Sequence, residues 1–354
     1  MSKIKVGVLG ATGAVGQRFV QLVANHPWFD LTVLAASDRS AGKSYKEAAN
    51  WILAYPMPDH LADVEVQPIS TDLDCPILFS AMPTAQAKEW ESQFAAAGYA
   101  VFSNAGAHRM DSDVPLLIPE VNPDHLDLLA HQQANRGWDR GFIVTNPNCT
   151  SMPMTMALAP LHAQFGVETV IATSMQALSG AGYPGVPSLD AIDNIVPFVA
   201  ESEEVKMNQE PNKMLGVSNG QTVTPAGVAI SAHCNRVPVA DGHLVTVSAK
   251  FKSKASLDDI LAAWQAWTPK PQQLNLPTAP QPALVVRDEP NRPQPRLDRD
   301  AGGGMATTVG RLRPCEALDV RFVCLAHNTI RGAAGGSVLN AELMYAQGML
   351  DSFK

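Results

Sequence analysis

A chain of 354 residues with 46% hydrophobic and 17% charged residues is about two globular domains long and has enough apolar side chains for sizeable cores. Its formal charge of -8 excludes nucleic-acid and anionic-membrane partners, which need dense Lys/Arg fields, while small anions stay open through local basic residues. No run approaches the ~20 apolar residues that span a bilayer, and the start, MSKIKVGVLG, lacks a secretory h-region and cleavage site; a cytoplasmic protein is expected.

The first half alternates apolar runs with helix-like segments: IKVGVLG, a helix over 15–25, LTVLAAS, PILFSAM, a helix over 85–97, AVFSNA and FIVTN. That alternation predicts an α/β doubly wound (Rossmann) domain with a parallel sheet. In its first turn, GATGAVG (10–16) follows a strand and precedes a helix, where glycines let a pyrophosphate approach the helix N-terminus. Gly10, Thr12, Gly13, Ala14 and Val15 are the candidate cofactor contacts there. The next strand ends in Ser37-Asp38-Arg39-Ser40, where an adenosine ribose is read. Asp38 suits the 2′-hydroxyl of NAD, whereas Arg39 with Ser37 and Ser40 suits a 2′-phosphate, so the cofactor expected is NADP.

FIVTNPNCTSMPMTMALAPL (142–161) places Cys149 between a strand and a helix expected to start near Thr150 or Ser151, with Pro153 in its first turn. A helix N-terminus favours thiolate and can hold a substrate oxyanion, so Cys149 is expected to be the reactive thiol and the first of five to be alkylated. Cys75, Cys234, Cys315 and Cys324 read as small core residues. The five form no CxxC pair or zinc-spaced cluster, so no metal is expected.

The second half offers strands over 169–177, 227–237, 243–252 and 318–326, which predicts an α+β domain on a mostly antiparallel sheet. Within it, AESEEVKMNQEPNKMLG puts Glu203 and Lys206 at i,i+3, by default a solvated pair. Asp241-Gly242 reads as a two-residue hairpin turn that puts Arg236 and His243 on one otherwise apolar face, where a buried arginine calls for an anion. The run 269–295 carries eight prolines and reads as an extended connection. The last segment, GSVLNAELMYAQGML, has helical periodicity and is expected to pack back on the first domain.

Taken in order, GATGAVGQRF, SDRSAGKSY, SNAGAHRM, LIPEVNPDHL, TNPNCTS, QALSGAGYPGVPSLDAIDN, SAHCNRVPVADGH, RPQPRLDRDAG and HNTIRGAAGGSVLNAELM resemble the aspartate-semialdehyde dehydrogenases of the archaeal and fungal branch. The chain departs from that pattern in having Thr150-Ser151 where the family has Ser-Thr, and Gly106 where it has Ser.

The resemblance implies an NADP-dependent oxidoreductase that reduces L-4-aspartyl phosphate to the semialdehyde, on the way to the aspartate-derived amino acids lysine, threonine and methionine. By position it implies Cys149 as nucleophile, His243 as acid/base and Gln176 as the residue orienting the intermediate. It places Arg236 on the substrate carboxylate, Glu203 near its amine, and Lys206, Arg109 and Asn148 at the phosphate. Ser179, Gly180, Gly182 and Asn328 fall near the nicotinamide. It further implies a homodimer or homotetramer, an NADP-binding domain over 1–148 completed by 329–354, and a catalytic and dimerisation domain over 149–328. The rivals are a malonyl- or succinyl-CoA reductase, N-acetyl-glutamyl-phosphate reductase, whose motifs match poorly, and a silent NADP-binding protein, which is expected to lack Cys149 or His243.

Overall fold

A computed structural model describes residues 3–354. β1 (Ile4–Leu9) leads into α1 (Ala14–Val23), followed by β2 (Phe29–Ala36), β3 (Gln67–Pro68), β4 (Ile77–Ser80), α2 (Thr84–Ala96), β5 (Ala100–Ser103), α3 (Leu128–Arg136) and β6 (Phe142–Thr145). The strands form one sheet, β3-β2-β1-β4-β5-β6, with every pairing parallel. β4, β5 and β6 are buried at all four of their residues, because a parallel sheet is covered on both faces. Strand order reverses between β1 and β4, and the crevice beyond their carboxyl ends is where such sheets bind ligands.

The chain then runs through α4 (Ser151–Phe165), β7 (Val167–Gln176), α5 (Glu203–Met214), a ribbon of β8 (Val217–Ser218) and β9 (Val223–Thr224), β10 (Ala229–Arg236), β11 (His243–Phe251), α6 (Leu257–Ala266), β12 (Leu284–Arg287), β13 (Thr307–Pro314), β14 (Val320–Ala326) and α7 (Gly335–Ala346). The second sheet is β10-β7-β11-β14-β13-β12. Its three central pairings are antiparallel and its two outer ones parallel.

The hairpin expectation fails here. β7 lies between β10 and β11, so residues 237–242 cross over the end of β7 instead of closing a tight turn. Pro238 cannot donate to a ladder, and the Val239 and Ala240 carbonyls accept from the amides of Leu178 and Ser179, which holds the crossing open. The shared face survives for another reason: Cys234 and Val245 both pair with Ser174, and paired residues project to one side. The proline-rich run also carries more structure than expected, since β12 forms within it as an edge strand. β13, interrupted by Gly310 and by Arg311 at φ 58°, was not among the strands read from sequence.

Two helices join the layers. α4 is apolar around its circumference, and Met152, Met156, Leu158 and Leu161 bury against Val245, Trp264 and Phe322 of the second layer. The Trp264 indole donates to the Ala157 carbonyl at 2.9 Å. α7 returns to the first layer, where Val338, Leu339 and Leu343 share a core with Val8, Phe29 and Phe102. Among the described residues no helix is long and apolar enough to cross a membrane.

Candidate active site

A cavity of about 800 Å³ opens between the layers at the carboxyl ends of β5 and β6, and Cys149, Asn148, Gln176, Arg109, Arg236, Glu203 and Lys206 all line it. Cys149 sits in the turn before α4, whose buried start needs acceptors for its first amides. Asn148 supplies one: its Oδ1 accepts from Thr150 N and Ser151 N at 2.8 and 3.2 Å. Those amides are therefore committed to a cap. Burial pushes the Cys149 thiol up to about 12, with the Glu203 carboxylate adding to it and Arg109 and Arg236 opposing. The expected resting thiolate is thus replaced by a neutral thiol, because desolvation outweighs the helix end. Asn146 braces the turn from behind through the Asn104 side chain and the carbonyls of Gly332 and Ala333. Gly332 lies so close that a Cβ there would come within 2.8 Å of Cys149 Cβ.

α5 supplies the acidic and basic pair, and the default solvated reading is overturned. Glu203 is buried: one carboxylate oxygen accepts from Asn148 Nδ2 at 2.6 Å and the other from Lys206 Nζ at 3.2 Å. Arg109, also buried, donates to Glu210 Oε1 at 3.1 Å and to the Asn104 carbonyl at 2.9 Å. Glu210, Asn104 and Asn146 were not among the residues picked from sequence. A signal for Glu210 existed, since E-x-x-K occurs at 203–206 and again at 210–213, placing the second pair on nearly the same helix face.

Across the cavity, Arg236 Nη1 donates to the Ala177 carbonyl at 2.7 Å, and burial lowers its pKa. Among the described residues it makes no ion pair with a carboxylate, which leaves the rest of its fork for an anion. His243 is fully buried beneath Gly180, where a Cβ would stand 2.9 Å from Arg236 Nη1 and 3.0 Å from His243 Nε2. Its Nδ1 accepts from Ala177 N at 3.1 Å, and burial with the Arg236 charge pushes its pKa down to about 3. The ring is neutral with its proton on Nε2, a buried atom without a hydrogen-bond partner among the described residues. Gln176 is buried at the end of β7, its Nε2 3.3 Å from Ser174 Oγ.

The residues read as cofactor contacts fit a dinucleotide. Gly13 is the N-cap of α1, Gly10 has φ 73°, and a Cβ at Gly16 would stand 2.1 Å from the Gly10 carbonyl; the amides of Gly10, Ala11 and Gly13 donate to carbonyls and shape the turn as a cradle, while the first helical amides beyond it have no side-chain cap. Val15, Ser179, Gly180, Gly182 and Asn328 line the same cavity as Cys149, with Asn328 donating to Ser179 Oγ at 2.8 Å. Thr12, Gly13 and Ala14 stand at the turn, while Ser37, Arg39 and Ser40 follow the carboxyl end of the neighbouring strand β2, where Arg39 is exposed.

Residues 5–129 match the semialdehyde dehydrogenase NAD binding domain and residues 158–331 the semialdehyde dehydrogenase dimerisation domain. The aspartate-semialdehyde dehydrogenase of Archaeoglobus fulgidus is 53% identical over 97% of this chain and 98% of its own. The chain belongs to the aspartate-semialdehyde dehydrogenase family. The enzyme of Aspergillus fumigatus is 44% identical over 98% of this chain and 99% of its own. Among solved aspartate-semialdehyde dehydrogenases, that of Candida albicans with NADP superposes with a TM-score of 0.90 at 39% identity, covering 98% of this chain and all of the other. Members of the family are oxidoreductases, and the stretch matched to the NAD binding domain contains both the 10–16 turn and Arg39.

Proposed function

We propose that the chain reversibly converts L-4-aspartyl phosphate and NADPH to L-aspartate 4-semialdehyde, phosphate and NADP, with Cys149 as nucleophile. The observation that carries this reading is one cavity holding a cysteine, an arginine with free donors, a carboxylate–lysine pair and a second arginine. Arg236 grips the substrate carboxylate, Glu203 accepts from its ammonium, and Arg109 with Lys206 neutralises the phosphate. Asn148 caps α4 and holds Glu203, so its part at the phosphate is indirect.

As Cys149 Sγ bonds to the acyl carbon, the C–O bond to phosphate breaks and the thiol proton leaves with the phosphate. Bound NADPH supplies the hydride that reduces the thioester carbon. His243 donates a hydrogen bond from its Nε2–H to the oxygen that becomes negative, and that charge passes to sulfur as the C–S bond breaks and aldehyde departs. Sulfur then regains a proton from solvent. Gln176 orients the acyl oxygen between these groups.

The test runs purified protein with NADP, phosphate and aspartate semialdehyde beside malonyl-CoA with NADPH. Phosphate-dependent NADPH formation, abolished in Cys149→Ala with NADP binding retained, is expected. Faster turnover of malonyl-CoA would transfer the assignment to a CoA reductase. For assembly, a homodimer is the form we infer, resting on the dimerisation-domain match and on the second sheet, whose face opposite α4 exposes Ile171, Ser231 and His233. A homotetramer would be a pair of such dimers.

A further inference from the structure

α5 carries a second pair of ionisable side chains deeper in the fold than Glu203 and Lys206. Glu210 is 1% exposed, and its two oxygens are divided between two parts of the site. Oε1 accepts from Arg109 Nη1 at 3.1 Å, and Oε2 accepts from the Asn148 backbone N–H at 2.7 Å, one residue before Cys149. Three residues on, Lys213 is 7% exposed and donates to the carbonyls of Arg109, Asp111 and Val114 at 2.7, 2.7 and 2.8 Å. Three donors meet three acceptors, so the ammonium is a socket for the loop that bears Arg109. A lone buried carboxylate or ammonium is costly, and both are retained here in contact with Arg109 or its loop rather than with bulk solvent.

We propose that Glu210 and Lys213 are positioning residues for the reaction, Glu210 fixing the distance between the Arg109 guanidinium and the Cys149 turn and Lys213 holding the Arg109 loop. The proposal rests on the reading of Arg109 as a phosphate ligand. Neither residue touches the cavity surface, so both act through Arg109 and Asn148. A glutamine at 210 keeps the shape but turns an NH₂ toward one of the two donors, loosening either the guanidinium or the turn. The same misalignment then falls on phosphate more than on the amino-acid end of the substrate, which is held across the cavity by Arg236.

The experiment is a double-mutant cycle in the oxidative direction, varying inorganic phosphate at saturating aspartate semialdehyde and NADP. Glu210→Gln is expected to raise the KM for phosphate about tenfold or more and leave the KM for aspartate semialdehyde within about twofold, a difference of the size carried by a charge-assisted hydrogen bond. In an Arg109→Ala background the same change is expected to add nothing to the phosphate KM. A native phosphate KM in Glu210→Gln, or an equal loss in both backgrounds, overturns the positioning role while leaving Arg109 as a ligand. A native phosphate KM in Arg109→Ala overturns the phosphate-site reading and this proposal with it. If Glu210→Gln yields no folded protein by circular dichroism, Lys213→Arg carries the same phosphate-selective expectation, because a planar fork cannot meet three convergent carbonyls. A native phosphate KM in that variant overturns the proposal.

Discussion

At the scale of single residues, Cys149 and Cys315 carry a prediction that runs against the order expected from sequence. Burial leaves Cys149 neutral far above neutral pH, whereas the Leu318 backbone, against slight burial, lowers the half-buried Cys315. Iodoacetamide at pH 7.5 is therefore expected to label Cys315 before Cys149 in the protein alone, with Cys149 labelling rising about tenfold per pH unit as its thiolate fraction grows. Peptide mapping by mass spectrometry reads the order, and Cys149 labelled first would mean that the resting site holds a thiolate. Arg39 makes a separate demand. It lies exposed at the end of β2, so Arg39→Ala should raise the KM for NADP far more than that for NAD, and equal effects would favour Asp38 and an NAD enzyme.

Elements, rather than residues, hold the loop that bears Arg109. α5 reaches it through Glu210 and Lys213, and α3 reaches it through Arg136, whose guanidinium donates to Asp113 at 2.6 and 2.7 Å and to Asp111 at 2.9 Å. Burial raises the Asp113 pKa but the Arg136 fork more than offsets it, holding the carboxyl down to about 2. A carboxylate whose folded pKa is depressed adds stability above its unfolded pKa, near 4, and that stability is lost as pH falls toward 2. Urea unfolding of wild type and Arg136→Met should therefore give free energies that differ most at pH 5 and converge by pH 2. A gap that stays constant over that range would rule out the linkage.

Over the whole molecule, two layers meet at a cleft, and one face of the second layer is left open. Helices α4 and α6 cover one side of the sheet, while Ile171 on the other side is 48% exposed. An isoleucine exposed in the middle of an uncovered sheet face, among hydroxyl and imidazole side chains, is where the dimer inferred above would pack. Sedimentation should give a mass of at least two chains, and Ile171→Glu should shift it toward one. A wild-type monomer at micromolar concentration would sink the inference.

Local sequence determined the first layer and singled out the candidate residues that the fold brings to one cavity. Strand–glycine–helix spacing specifies a β-α turn because the residues involved are neighbours in the chain, and the cysteine after FIVTN was legible for the same reason. The register of β10 was not legible, since a local Asp-Gly turn says nothing of a strand, β7, that arrives from more than fifty residues earlier to lie between its two arms. Nor could sequence decide the charge states of Cys149 and His243, which depend on how much water the fold removes and on which distant charges remain close. Glu203 carries the same lesson. Its i,i+3 partner was visible in the chain, but whether the pair faced solvent or Asn148 was settled only when α5 packed against the turn before α4, because burial is a property of the assembled layers and not of the segment.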